Sequence, residues 1–162
     1  MRMVALLVVC ALSAPLAARD SLGVFGQWGA FRDPGAGRCY AIAAAQKSNA
    51  RREYKPFASV GTWPGRGVRG QLHLRLSRKL AAQPNLSLAI SGRRFALTGG
   101  GGDAWAPDRA MDAAILAAMR SAGSMSVSAS DNRGARFTDR YSLEGAATAF
   151  DAASVGCARV RG

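Results

Sequence analysis

The sequence predicts a mostly β domain with two helices: an antiparallel β-sandwich or open barrel carrying two packed α-helices. Three observations carry this expectation. Several segments alternate apolar and polar residues with period two, the mark of half-buried strands. Two other segments carry apolar residues at helical spacing. Their order along the chain is strands, helix, strands, helix, which suits an antiparallel sheet packed by helices rather than alternating βαβ units.

Taken in order, the first chain reversal is Asp33-Pro34-Gly35, followed by the strand-like RCYAIAAA from Arg38. PFASVGTW, ending at Trp63, reads as another strand. In GQLHLRLS, Leu72, Leu74 and Leu76 share one face, with His73 and Arg75 on the other. LSLAI places Leu86, Leu88 and Ile90 together, and Ser91-Gly92 turns the chain into RRFALT, with Phe95 and Leu97 inward. Thr98 to Trp105, TGGGGDAW, is expected to be a flexible loop entering the first helix. That helix, within APDRAMDAAILAAMRSAG, lines up Met111, Ile115 and Met119, with Pro107 at its start, Asp108 and Asp112 near its positive end and Gly123 at its stop. SMSVSAS then points Met125, Val127 and Ala129 inward and its serines outward, and RFTDRYSL groups Phe137, Tyr141 and Leu143. Asp139 falls on the same inward face and therefore calls for an arginine or backbone partner. The second helix, LEGAATAFDAASVG, has Phe150 as its large apolar residue and is expected to end at Gly156.

The first residues, MRMVALLVVCALSAPLAARD, have a basic start, a short apolar run and a small-residue end. This is the pattern of a secretory signal peptide, residues 1–18, with cleavage after Ala18. The run is shorter than the roughly 20 apolar residues a membrane span needs. Lipid attachment at Cys10 is disfavoured by the bulky Val9 before it. Residues 19–162 then form a single β-rich domain, periplasmic or secreted, with no later segment apolar enough to span a membrane.

Export gives the cysteines a meaning. Cys10 leaves with the signal, and Cys39 and Cys157 remain as an even pair. In an oxidising compartment such a pair forms a disulfide.

The chain's formal charge is +12, and loss of Arg2 with the signal leaves +11. The excess is arginine: 19 Arg against 3 Lys. A basic exported surface meets anionic lipid, acidic polysaccharide or an envelope protein rather than nucleic acid. Clusters occur at Arg51-Arg52, Arg66/Arg69, Arg93-Arg94 and Arg133/Arg136/Arg140. Arg66, Arg69, Arg93 and Arg94 lie in or beside predicted turns and are the candidate contacts with an anionic surface. Trp63-Pro64 beside Arg66 is a candidate aromatic–basic contact.

Other chemistries lack their residues. Gly65-Arg66-Gly67-Val68-Arg69-Gly70 matches the dinucleotide fingerprint in letters, but a strand follows it, not a helix, and no Asp or Glu lies between Glu53 and Asp103. Gly99–Gly102 lacks the lysine end of a P-loop. His73 is the only histidine and has no G-x-S-x-G serine to serve. No zinc-ligand spacing occurs. No catalytic, cofactor-binding or metal residue is assigned. A carboxylate pair drawn from Asp33, Glu53, Asp103 and Asp139 is the one remaining route to a hydrolase.

Tyr141-Ser-Leu-Glu-Gly-Ala-Ala-Thr-Ala-Phe150 resembles the S-L-x-G-F-x-x-A ending of the invasion-associated locus B family of bacterial envelope proteins. The helix and strand of AAILAAMRSAGSMSVSA are similar to that family's penultimate block. Gln27-Trp28-Gly29-Ala30-Phe31, followed by Cys39, looks like its opening. Two positions depart: Arg32 stands where a cysteine is expected, and Ala146 where an aromatic follows the glycine. The resemblance implies a secreted or periplasmic β-rich protein of a Gram-negative envelope, and supplies no catalytic residues. The expected function is therefore a non-enzymatic envelope protein binding an anionic component or a protein partner. A periplasmic hydrolase inhibitor and a hydrolase with an unrecognised carboxylate site are the alternatives.

Overall fold

A computed structural model of the chain describes residues 19–158. Residues 1–18, where the sequence predicts a signal segment with cleavage after Ala18, lie outside the described residues, Cys10 among them. The strands are β1 (Asp20–Phe25), β2 (Trp28–Asp33), β3 (Arg38–Ala44), β4 (Phe57–Trp63), β5 (Val68–Arg75), β6 (Ser87–Ile90), β7 (Arg93–Ala96), β8 (Thr98–Gly100), β9 (Asp103–Trp105), β10 (Ser124–Ser130) and β11 (Arg136–Ser142). The helices are α1 (Arg109–Ser121) and α2 (Ala146–Ala158). The strands form two antiparallel sheets, one of seven in the order β1-β2-β3-β4-β5-β9-β8 and one of four in the order β11-β10-β6-β7. Neither closes into a barrel, and the fold is mostly β with two helices, as the sequence predicts.

Local chemistry explains each reversal. Between β2 and β3, Asp33 Oδ1 accepts from Ala36 N–H at 3.1 Å, and Gly37 sits at φ +59°. At the β6–β7 hairpin, Ser91 and Gly92 both have positive φ, 46° and 78°, the pair a type I′ turn requires. The β10–β11 turn is organised by Asp131, whose Oδ1 accepts from the backbone N–H groups of Arg133 and Ala135. The Asp108 side chain caps α1 by accepting from Met111 N–H at 2.8 Å.

One core unites the sheets and helices. Leu72 and Leu74 of the large sheet, Leu88, Ile90, Val127 and Tyr141 of the small one, Ile115 and Met119 of α1 and Phe150 of α2 are all buried in it. Trp28 is its largest fully buried side chain. Its ring meets Phe150 edge to face at 5.3 Å, and its indole N–H donates to the Ser142 carbonyl at 2.9 Å. One residue thus ties β2 to α2 and to the end of β11.

The Cys39–Cys157 disulfide is present, with the Cα atoms 5.6 Å apart, and joins β3 to the last turn of α2. Asp139 receives its expected partner from the backbone: Ser77 N–H donates to it at 2.8 Å. Asp112 is more than a helix-end charge. It is buried and accepts from Leu72 N–H at 2.8 Å, pinning α1 to β5. Burial raises its pKa above the ordinary carboxylate value, and the charge of Asp108 adds to that, while the Leu72 bond opposes it.

Three expectations are corrected. Thr98–Trp105 is no loop. Thr98–Gly100 and Asp103–Trp105 pair as the β8–β9 hairpin, and β9 continues onto β5. Gly101 at φ +60° makes the turn, so the glycine run supplies both strand and reversal. The chain passes from one sheet to the other at Leu97, so RRFALT is not one strand: it holds β7 and only the first residue of β8, which belongs to the other sheet. Gly156 does not stop α2. It lies within the helix because Leu22 of β1 packs against it, where a Cβ would stand 2.5 Å from the leucine Cδ1.

Candidate anion-binding face

The outer surface of the four-stranded sheet follows from pairing alone. Side chains alternate between faces along each strand. Leu88, Ile90, Phe95, Met125, Val127, Ala129, Phe137, Asp139 and Tyr141 take the buried face. Their neighbours must point outward. In one row across the sheet, Arg140 pairs with Ser126, Ser126 with Ala89, and Ala89 with Arg94. In the next, Thr138 pairs with Ser128, Ser128 with Ser87, and Ser87 with Ala96. Ser130 and Arg136 form a third. The floor is therefore serine, threonine and alanine, rimmed by Arg136 and Arg140 on one edge strand and Arg94 on the other. Ser128 and Thr138 share a hydrogen bond of 2.9 Å across β10 and β11. No carboxylate occupies an outward position of these strands.

At the β11 edge this face continues into a cleft of about 310 Å³ lined by Arg136, Thr138, Asp139 and Arg140 of β11, by Arg78, and by Ser48, Ala50 and Arg52 of the segment after β3. The segment after β3 forms the far wall; Gln46 N–H donates to the Arg140 carbonyl, and Arg52 donates to the Gln46 carbonyl. Four guanidinium groups face one lining carboxylate, Asp139, which is buried and engaged by Ser77. Arg78 is ion-paired with Asp131 at 2.9 Å, and its hydrogen bond holds that carboxyl below the ordinary value. Arg52, Arg136 and Arg140 pair with no carboxylate among the described residues.

The four arginines proposed from the sequence are split between two places. Arg66 is exposed in the β4–β5 connection and Arg69 at the start of β5, and Arg69 lines a cleft of about 450 Å³ with Arg109, Leu116 and the disulfide residue Cys157. Arg93 and Arg94 belong to β7 of the other sheet, and only Arg94 stands in a row with other arginines; Arg93 lies over Phe95 at 5.0 Å. The cation nearest Trp63 is Arg38, at 5.8 Å, not Arg66. Arg52, Arg136 and Arg140 were visible as basic doublets and triplets. Their convergence depends on strand pairings that sequence spacing does not encode.

The four candidate carboxylates do not assemble. Asp33 is held by Arg19 and Arg38, Asp103 by His73 and Arg75, Glu53 by the Lys79 backbone, and Asp139 by Ser77. Of the four, only Asp139 lines either of the two clefts described here. His73 is hydrogen-bonded to Asp103 at 2.9 Å and stacked on Trp105. Among the described residues no group of three or more His, Cys, Asp or Glu side chains could hold a metal ion. No helix among them is long and apolar enough to cross a membrane.

No protein-family model matches this chain, and no curated protein or solved structure is significantly similar to it.

Proposed function

We propose that this is an exported, non-enzymatic envelope protein that binds an anionic component through the outer face of its four-stranded sheet and the adjoining cleft. The observation that carries this reading is the arginine surplus there: Arg52, Arg94, Arg136 and Arg140 pair with no carboxylate among the described residues, while Asp139 is bonded to Ser77 and Asp131 to Arg78. Gathering like charges costs free energy that a bound anion offsets. Guanidinium groups also present the planar donor fork that carboxylates and phosphates accept bidentately. The export pattern, the disulfide and the resemblance to invasion-associated locus B proteins support the periplasm or the exterior of a Gram-negative cell. The separated carboxylates favour binding over hydrolysis.

The test is binding to phosphatidylglycerol vesicles and to oligogalacturonate, beside neutral vesicles, as salt is raised. Exposed ion contacts are screened over about 8–10 Å at physiological salt, so affinity for the anionic probes falls as salt rises. Replacing Arg52, Arg136 and Arg140 by Ser abolishes it, whereas Arg66→Ser with Arg69→Ser leaves most of it. Equal binding to neutral and anionic probes, or loss with the second pair alone, overturns the reading.

A further inference from the structure

Resting on that reading, we infer that the natural occupant of this face is a linear acidic polysaccharide laid across the strands, rather than the headgroups of a lipid surface. The face has two parts that ask for two kinds of group. Its rims are arginines. Neighbouring strands lie about 4.8 Å apart, so Arg140 and Arg94, at opposite ends of one four-strand row, are separated by about 14 Å. Along β11, Arg136 and Arg140 stand two outward positions apart on the same edge. Anionic groups repeated along a chain reach both rims at once; a single small anion reaches one.

Between the rims the floor is hydroxyl-bearing: Ser126, Ser128, Ser87 and Thr138. Each hydroxyl offers one donor and two acceptor positions, and the Ser128–Thr138 bond leaves part of that capacity open. Sugar hydroxyls match this floor, since they too donate and accept. Nothing larger than Ala, Ser or Thr stands between the arginines, so a chain can lie flat with its carboxylates at the rims and its ring hydroxyls on the floor. A lipid surface uses only the rims. The exposed large apolar side chains, Val24, Trp105 and Val155, lie on the other sheet and on α2, so this face offers none to insert between lipids. Charge selects the ligand sign, and the floor selects the sugar.

The experiment separates the two parts. Oligogalacturonate, the same oligomer with its carboxyls reduced to hydroxymethyl groups, and phosphatidylglycerol vesicles are titrated against the disulfide-bonded protein. Ser126→Leu raises a bulky, uncharged block mid-floor and keeps every arginine. It is expected to weaken oligogalacturonate binding about tenfold or more while vesicle binding stays within about twofold. The carboxyl-reduced oligomer binds at least about a hundredfold more weakly than its acidic parent. Ala89→Leu, next to Ser126 in the same row, gives the same block should Ser126→Leu fail to fold. Undiminished oligogalacturonate binding in a folded block variant overturns the polysaccharide inference. So does vesicle binding that is tighter than oligogalacturonate binding; both outcomes leave the anionic-component reading standing. Binding to neither anionic probe removes both.

Discussion

Reduction of the Cys39–Cys157 bond gives the largest stability change expected of any single covalent alteration in this chain. The two cysteines are 118 positions apart, so the bond closes most of the described chain into a loop. On the chain-entropy account a loop of that size lowers the entropy of the unfolded ensemble enough to stabilise the fold by about 5 kcal/mol. A domain of this length unfolds with an entropy near 0.3 kcal/mol/K, which converts that figure to a fall in Tm of about 15–20 °C. The assay is thermal unfolding followed by circular dichroism, with and without dithiothreitol, and with Cys39→Ala/Cys157→Ala as a reductant-independent control. Both sulfurs are buried, so the double variant also loses packing and should lie at or below the reduced protein. A fall in Tm of only a few degrees on complete reduction would refute the loop-closure reasoning. It would mean that the unfolded chain already holds β3 and the end of α2 near one another.

Further outcomes follow from single side chains. Asp112→Ala leaves the buried Leu72 N–H without an acceptor and costs about 1–3 kcal/mol, read by urea denaturation, whereas Asp112→Asn keeps the acceptor. Because burial raises the Asp112 pKa, the folded state binds the proton more tightly than the unfolded chain. Wild-type stability therefore falls relative to Asp112→Asn as pH rises from the ordinary value of 3.8 through the folded value, and a constant difference across that window refutes the assignment. Asp131 behaves oppositely: its hydrogen bond from Arg78 lowers its pKa, so its contribution is present above 3.8 and lost as pH falls through the folded value. Arg78→Gln should accordingly shift acid unfolding to higher pH. Gly145→Ala should destabilise by about 3 kcal/mol or more, since φ is +82° there and a Cβ would overlap the Phe25 carbonyl; a melting temperature near that of wild type would rule this out. The Tyr141 hydroxyl is buried with no partner among the described residues, so Tyr141→Phe should match or exceed wild-type stability in the same denaturation assay.

The β6–β7 hairpin was legible because three signals agreed: alternation on both sides, a Ser-Gly pair, and no competing helical period. The outward serines of β10 were legible for the same reason. Thr98–Trp105 was not, because glycine has no side chain and so carries no period. Its pairing is fixed by β5, which presents His73, Leu74 and Arg75 to β9. Gly156 was misread because a glycine near a helix end usually marks a stop, and the leucine that fills the space beside it lies far away in sequence. The binding face divides in the same way. Its hydroxyl floor follows from alternation within one strand. Its arginine rims depend on which strands become neighbours, so Arg94 could be chosen from the sequence while Arg136 and Arg140, its row and edge partners, were passed over.

The disulfide also decides how the molecule carries tension. Leu22 of β1 rests on Gly156 of α2, so the first strand and the last helix already touch. Pull on Arg19 and Ala158 in opposite directions, and the load runs through β1 and β2 to Cys39, crosses the sulfur bridge to Cys157, and leaves by the end of α2. Everything between the two cysteines is bypassed, including the four-stranded sheet and the arginine-lined cleft beside it. The extensible length is the stretch from Arg19 to Arg38, about 70 Å when fully drawn out. Such a domain, anchored at one end and dragged from the other, gives up its first hairpin and then stops, with its arginine face still folded and presented.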